Sequence, residues 1–81
     1  GDYYKLIADE NVYAYIRSDL NERILVILNK SKSRTVNTVE LPSVYGASKL
    51  VSLIDGKSVK VKNNKATLKI SRLNYNIYKI Q

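Results

Sequence analysis

Few side chains in this sequence can do chemistry, and they are poorly spaced for it. There is no His and no Cys, so the commonest general base and metal ligand is missing, and with it any thiolate nucleophile. The carboxylates are Asp2, Asp9, Glu10, Asp19, Glu22, Glu40 and Asp55. A glycosidase pair must face each other across a bond, about 5–9.5 Å apart. Asp9 and Glu10 are adjacent, which on a strand sends them to opposite faces, and no other spacing suggests a pair. They read as turn residues and solvated strand ends. Asp2, Asp9 and Asp19 lack the Asp-x-Asp-x-Asp-Gly order of a calcium loop. The Ser and Thr hydroxyls have no base to activate them, and Gly1, Gly46 and Gly56 are too isolated to cradle a phosphate. The sequence therefore offers no catalytic, cofactor-binding or metal-ligating residues.

The seven Tyr are the other candidates. A phenol ring stacks on a sugar or a base while its hydroxyl hydrogen-bonds, so exposed Tyr can mark a binding platform. Tyr is also a favoured strand residue, and this chain has no Phe or Trp to fill its core. Tyr3, Tyr4, Tyr75 and Tyr78 are read as core bulk, and Tyr45, in a loop beside Gly46, as the exposed one.

The elements that carry these residues are short apolar segments of period two, broken by polar turns. Strands are expected at Tyr3–Ala8, Val12–Arg17, Ile24–Leu28, Thr35–Leu41, Leu50–Ile54 and Asn76–Ile80. Ser58–Ile70 reads as a β-hairpin about Asn63-Asn64, since Asn tolerates the positive φ of a tight turn. No window shows a 3.6-residue period. Seven to eight short strands imply an all-β fold, an antiparallel β-sandwich of Greek-key type.

One stretch is too apolar for an isolated sandwich. Val12, Ala14 and Ile16 share one face of their strand and Tyr13 and Tyr15 the other, while Ile24–Leu28 is apolar on both. A second apolar face implies a protein contact. Tyr13, Tyr15, Leu25 and Ile27 are expected to help form it, against a larger neighbouring domain.

Eighty-one residues allow one domain with a small core. No run approaches a membrane span, and the chain opens on Gly1 rather than Met, so residues 1–81 are expected to be one domain of a longer polypeptide. The net charge of +7 is lopsided: Glu40 and Asp55 are the only carboxylates after Leu28. Such charge can serve nucleic acid, and a small basic nucleic-acid-binding barrel is one alternative. Yet no basic block or RNA-binding signature is present, and Lys, Asn, Ile and Tyr together supply 33 residues. All four have AT-rich codons, so the charge reads as codon bias on solvated strands.

The order of segments resembles a known family. Gly1-Asp2-Tyr3-Tyr4-Lys5-Leu6, then Val12-Tyr13-Ala14-Tyr15-Ile16-Arg17, then Ile24–Ser31 are similar to the C-terminal domain of α-amylase-family glycoside hydrolases of the neopullulanase, cyclomaltodextrinase and amylopullulanase group. Thr35–Leu41, the turn Leu53–Ser58, and the segments Ala66–Ile70 and Tyr75–Ile80 continue the likeness over essentially the whole chain. Arg72-Leu73-Asn74 stands where that family often has a Pro-containing turn. The resemblance implies a β-sandwich that packs on and stabilises a catalytic barrel, with α-glucan as an occasional ligand. The family's catalytic carboxylates belong to the barrel and have no counterpart here. A stand-alone carbohydrate-binding module gripping glucan through Tyr is the other alternative.

Overall fold

The computed structural model describes residues 2–19 and 21–81, with only the backbone of Asp2. Gly1 and Leu20, the latter inside the expected turn Ser18–Glu22, lie outside the described residues, as does the Asp2 carboxylate. Among the described residues eight strands form: β1 (Asp2–Ala8), β2 (Val12–Ser18), β3 (Arg23–Asn29), β4 (Thr35–Glu40), β5 (Lys49–Ser52), β6 (Ser58–Lys60), β7 (Lys65–Ile70) and β8 (Asn74–Ile80). A single 3₁₀ turn, Ser43–Tyr45, lies between β4 and β5. All pairings are antiparallel, in a six-stranded sheet of order β1-β2-β3-β8-β5-β6 and a two-stranded sheet of β4 and β7. The all-β sandwich expected from the period-two pattern is what forms. β8 lies beside β5, which pairs with β6, and the chain then turns a corner into β7 of the other sheet; this order is that of a Greek key.

The core lies between the sheets. Val12, Ala14 and Ile16 of β2, Leu25 and Ile27 of β3, Leu50 of β5 and Tyr78 of β8 meet Val39, Leu41, Ala66, Leu68 and Ile70 from the β4–β7 side. β7 shows strict alternation, burying Ala66, Leu68 and Ile70 and exposing Lys65, Thr67 and Lys69.

The expected hairpin over Ser58–Ile70 needs correction. Its turn is as read: Asn63 (φ 53°) and Asn64 (φ 64°) are both left-handed, and Lys62 and Lys65 exchange backbone hydrogen bonds of 2.9 and 3.0 Å. The arms then part, β6 pairing with β5 and β7 with β4. Buried Val61 sits at the corner where the chain changes sheets. Leu50–Ile54 is also shorter than expected. The Ser52 hydroxyl accepts from the N–H groups of Ile54 and Asp55, 3.2 Å each, and turns the chain out of the sheet there.

Candidate interaction face

The position of each strand residue follows from the register. β2 and β3 are joined by a turn in which the Asp19 N–H donates to the Glu22 carbonyl at 3.0 Å, and Ser18 is thereby set opposite Arg23. From that starting point Tyr15 falls opposite Val26, and Tyr13 opposite Leu28. Directly paired residues share a face, so the tyrosines stand beside Ile24, Val26 and Leu28. On the far side of β3, Val26 pairs with Ile77 and Leu28 with Tyr75 of β8. A concavity of about 670 Å³ opens on this face, floored by Ile24, Val26, Leu28 and Ile77 and walled by Tyr15 and Tyr75.

The expected set Tyr13, Tyr15, Leu25 and Ile27 is thus half wrong. Leu25 and Ile27 are 0% exposed and sit in the core with Ala14 and Ile16, away from the tyrosines. A run apolar at every position has no phase of its own. Here the turn decides which alternate set faces outward.

The tyrosines also differ from their expected places. Tyr78 alone is buried, at 4% exposure, while Tyr3, Tyr4 and Tyr75 are 57, 50 and 51% exposed. Tyr3 stacks on Tyr15 with ring centres 4.7 Å apart and planes 18° from parallel, and Tyr13 leans on Tyr15 at 5.5 Å. The hydroxyls of Tyr3 and Tyr13 hydrogen-bond to each other, and this bond, with the other two phenols nearby, pushes the Tyr3 hydroxyl up to about 12. Tyr45 is half-buried rather than free. The Arg23 guanidinium lies 4.0 Å over its ring and pins the 3₁₀ turn to the start of β3. The register puts Tyr3 and Tyr75 on the outer face with Tyr15 and Leu28, whereas Tyr4, opposite Ile16, is on the core side and is left half uncovered by the second sheet.

Three aspartates are occupied with turns. Asp9 Oδ1 accepts from the N–H groups of Val12 (2.7 Å) and Asn11 (2.8 Å), and these bonds hold its carboxyl below the usual range. Asp19 does the same with Asn21 and Glu22, both at 2.9 Å, and Asp55 accepts from the Lys57 N–H at 2.9 Å. Among the described residues no group of three or more His, Cys, Asp or Glu could hold a metal ion.

The family described as Maltogenic Amylase, C-terminal domain, matches residues 4–77. The chain belongs to this family. Its fold recurs in an α-amylase from Anoxybacillus (TM-score 0.82, 22% identity over 99% of this chain and 18% of that one). It recurs also in the α-amylase of Geobacillus thermoleovorans, solved with acarbose (TM-score 0.85, 18% identity over 100% of this chain and 18% of that one). The isomaltulose synthase of Klebsiella sp. LX3 is similar as well, with a TM-score of 0.69 and 29% identity over 100% of this chain and 14% of that one. The chain therefore spans less than a fifth of those three proteins' length. No curated protein sequence matches it.

Proposed function

We propose that this domain is the non-catalytic C-terminal part of a starch- or pullulan-degrading α-amylase-family glycosidase, where it packs on the catalytic barrel and stabilises it. The observation that carries this reading is the apolar outer face of the six-stranded sheet, Ile24, Val26, Leu28 and Ile77 between Tyr15 and Tyr75. A sheet needs one apolar face to make a sandwich. A second one, only half covered by its own chain, gains from removal of its remaining apolar surface from water, at about 25 cal/mol per Å². Amide exchange on the parent polypeptide tests it. Residues 12–28 are expected to exchange more slowly there than in the 81-residue chain, and equal rates would refute the docking.

A second reading is favoured by the Tyr3–Tyr15–Tyr13 cluster: an α-glucan platform, with Tyr3 presenting its free ring face to a sugar. Titration with maltoheptaose, followed by NMR, is expected under this reading to shift the signals of Tyr3 and Tyr15 first. Shifts elsewhere or none would remove it.

A further inference from the structure

The geometry points to a barrel surface that is apolar over Val26 and Ile77 and carries carboxylates over Lys49, Lys60 and Lys79. The inference rests on the docking reading above and specifies what must face this domain. Lys79 lies between Ile24 and Val51 in the ladder, next to buried Tyr78, so it stands on the outer face at the border of the apolar centre. Lys49 flanks buried Leu50 and points the same way, and it pairs directly with Lys60 across β5 and β6. Gln81 exchanges backbone hydrogen bonds with Lys49, which sets Lys79 two residues along the same side of β8.

Like charges directly opposite on a sheet are unfavourable, and the two side-chain carboxylates after Leu28 lie elsewhere. Glu40 pairs with Lys65 in the other sheet, and the Asp55 carboxylate is engaged by the Lys57 N–H. The face is also charged in an ordered way. Asp19, Glu22 and Arg17 lie around the β2–β3 turn, on one border of the concavity; Lys79 stands one strand from that turn, opposite Ile24, and Lys49 and Lys60 lie farther along on β5 and β6. A polyanion fits poorly, because it would meet those two carboxylates and an apolar floor. A second copy of the chain fits poorly too, since among the described residues this face sets Asp19 and Glu22 against Arg17, Lys49, Lys60 and Lys79. A protein surface with an apolar patch and an acidic edge satisfies the lysines and fixes one orientation of docking.

Zero-length carbodiimide coupling of the parent polypeptide, with the linked peptides read by mass spectrometry and amide exchange measured in parallel, tests this. Amide links from Lys49, Lys60 or Lys79 to carboxylates outside residues 1–81 of the same molecule are expected. Lys60→Glu should remove its link and speed exchange at residues 24–28 about threefold, as loss of a rim charge pair implies. Lys49→Gln with Lys60→Gln, which adds no new charge, should act in the same direction. Protection of residues 24–28 without any such link would overturn the acidic edge and leave the docking reading standing. Absence of that protection would overturn both. Links found only between two copies would show that a second copy occupies the face and would refute the inference.

Discussion

Asn29 is the residue on which most of the local order at one end of the sandwich depends. It is 2% exposed, and its amide nitrogen donates to the carbonyls of Ser33 (2.9 Å), Ser71 (3.0 Å) and Ile70 (3.1 Å), while its Oδ1 accepts from the Ser31 N–H at 2.9 Å. One side chain thereby ties β3, the loop after it and the end of β7. Asn29→Ala leaves several buried partners unsatisfied and is expected to cost about 2–3 kcal/mol in urea unfolding. Asn29→Asp should do no better, since it turns a donor into an acceptor facing carbonyls. The turn aspartates predict an acid limb. Asp9, Asp19 and Asp55 are held below their ordinary values, so their stabilisation is complete above the unfolded carboxylate range near pH ~4 and is lost as the pH falls through the folded values. A pH series of melting temperatures should fall below that point. Asp9→Asn with Asp19→Asn should flatten the fall, because Asn keeps the accepting oxygen. Tyr3 acts at the other extreme. Its raised value favours the neutral phenol, a contribution present below about pH 10 and lost as the pH rises towards about 12. Phenolate absorbance should show that late step, and Tyr13→Phe should abolish it.

At the scale of the elements, turns decide more than strands. The Asn63-Asn64 turn was legible because Asn accepts positive φ, and both residues adopt it. The departure of β6 and β7 into different sheets was not legible, since Val59 and Val61 alternate with lysines in the same way whichever partner the strand takes. Arg72-Leu73-Asn74, where the resemblance led one to expect Pro, makes its turn with Leu73 at φ 49° and 64% exposed. An L side chain in that region costs roughly 1–2 kcal/mol. Leu73 packs little in return, while its N–H donates to the Ser31 carbonyl at 3.0 Å. Leu73→Gly keeps that bond and relieves the conformation, so it should stabilise by about 1 kcal/mol, less the added freedom of the unfolded chain. Thermal unfolding checks it.

For the molecule as a whole, two sets of apolar residues on one strand have opposite duties. Leu25 and Ile27 hold the sheets together, and truncating either to Ala should cost about 2–4 kcal/mol whether or not a neighbour is present. Val26 and Ile77 face outward and are only half covered. Val26→Asp should destabilise the 81-residue chain by only about 1 kcal/mol, the span of strand propensities, yet undock the domain in the parent polypeptide. Comparing melting temperatures of the two backgrounds separates these outcomes. The basic charge takes on a meaning here that its total does not carry. Lys65, Thr67 and Lys69 lie on the exposed side of β7, whereas Lys49, Lys60 and Lys79 border the apolar face.

What the sequence by itself determined is the fold class, most strand positions, the turn role of the aspartates and the presence of more apolar surface than one core can use. Period-two patterning and turn chemistry are local properties, and they survive in one dimension. Only the tertiary structure decided which residues of Ile24–Leu28 face outward, which tyrosines are covered, and how the Ser58–Ile70 arms divide between sheets. Those outcomes depend on register and on the reach of a second sheet of only two strands, and neither is encoded within a single strand.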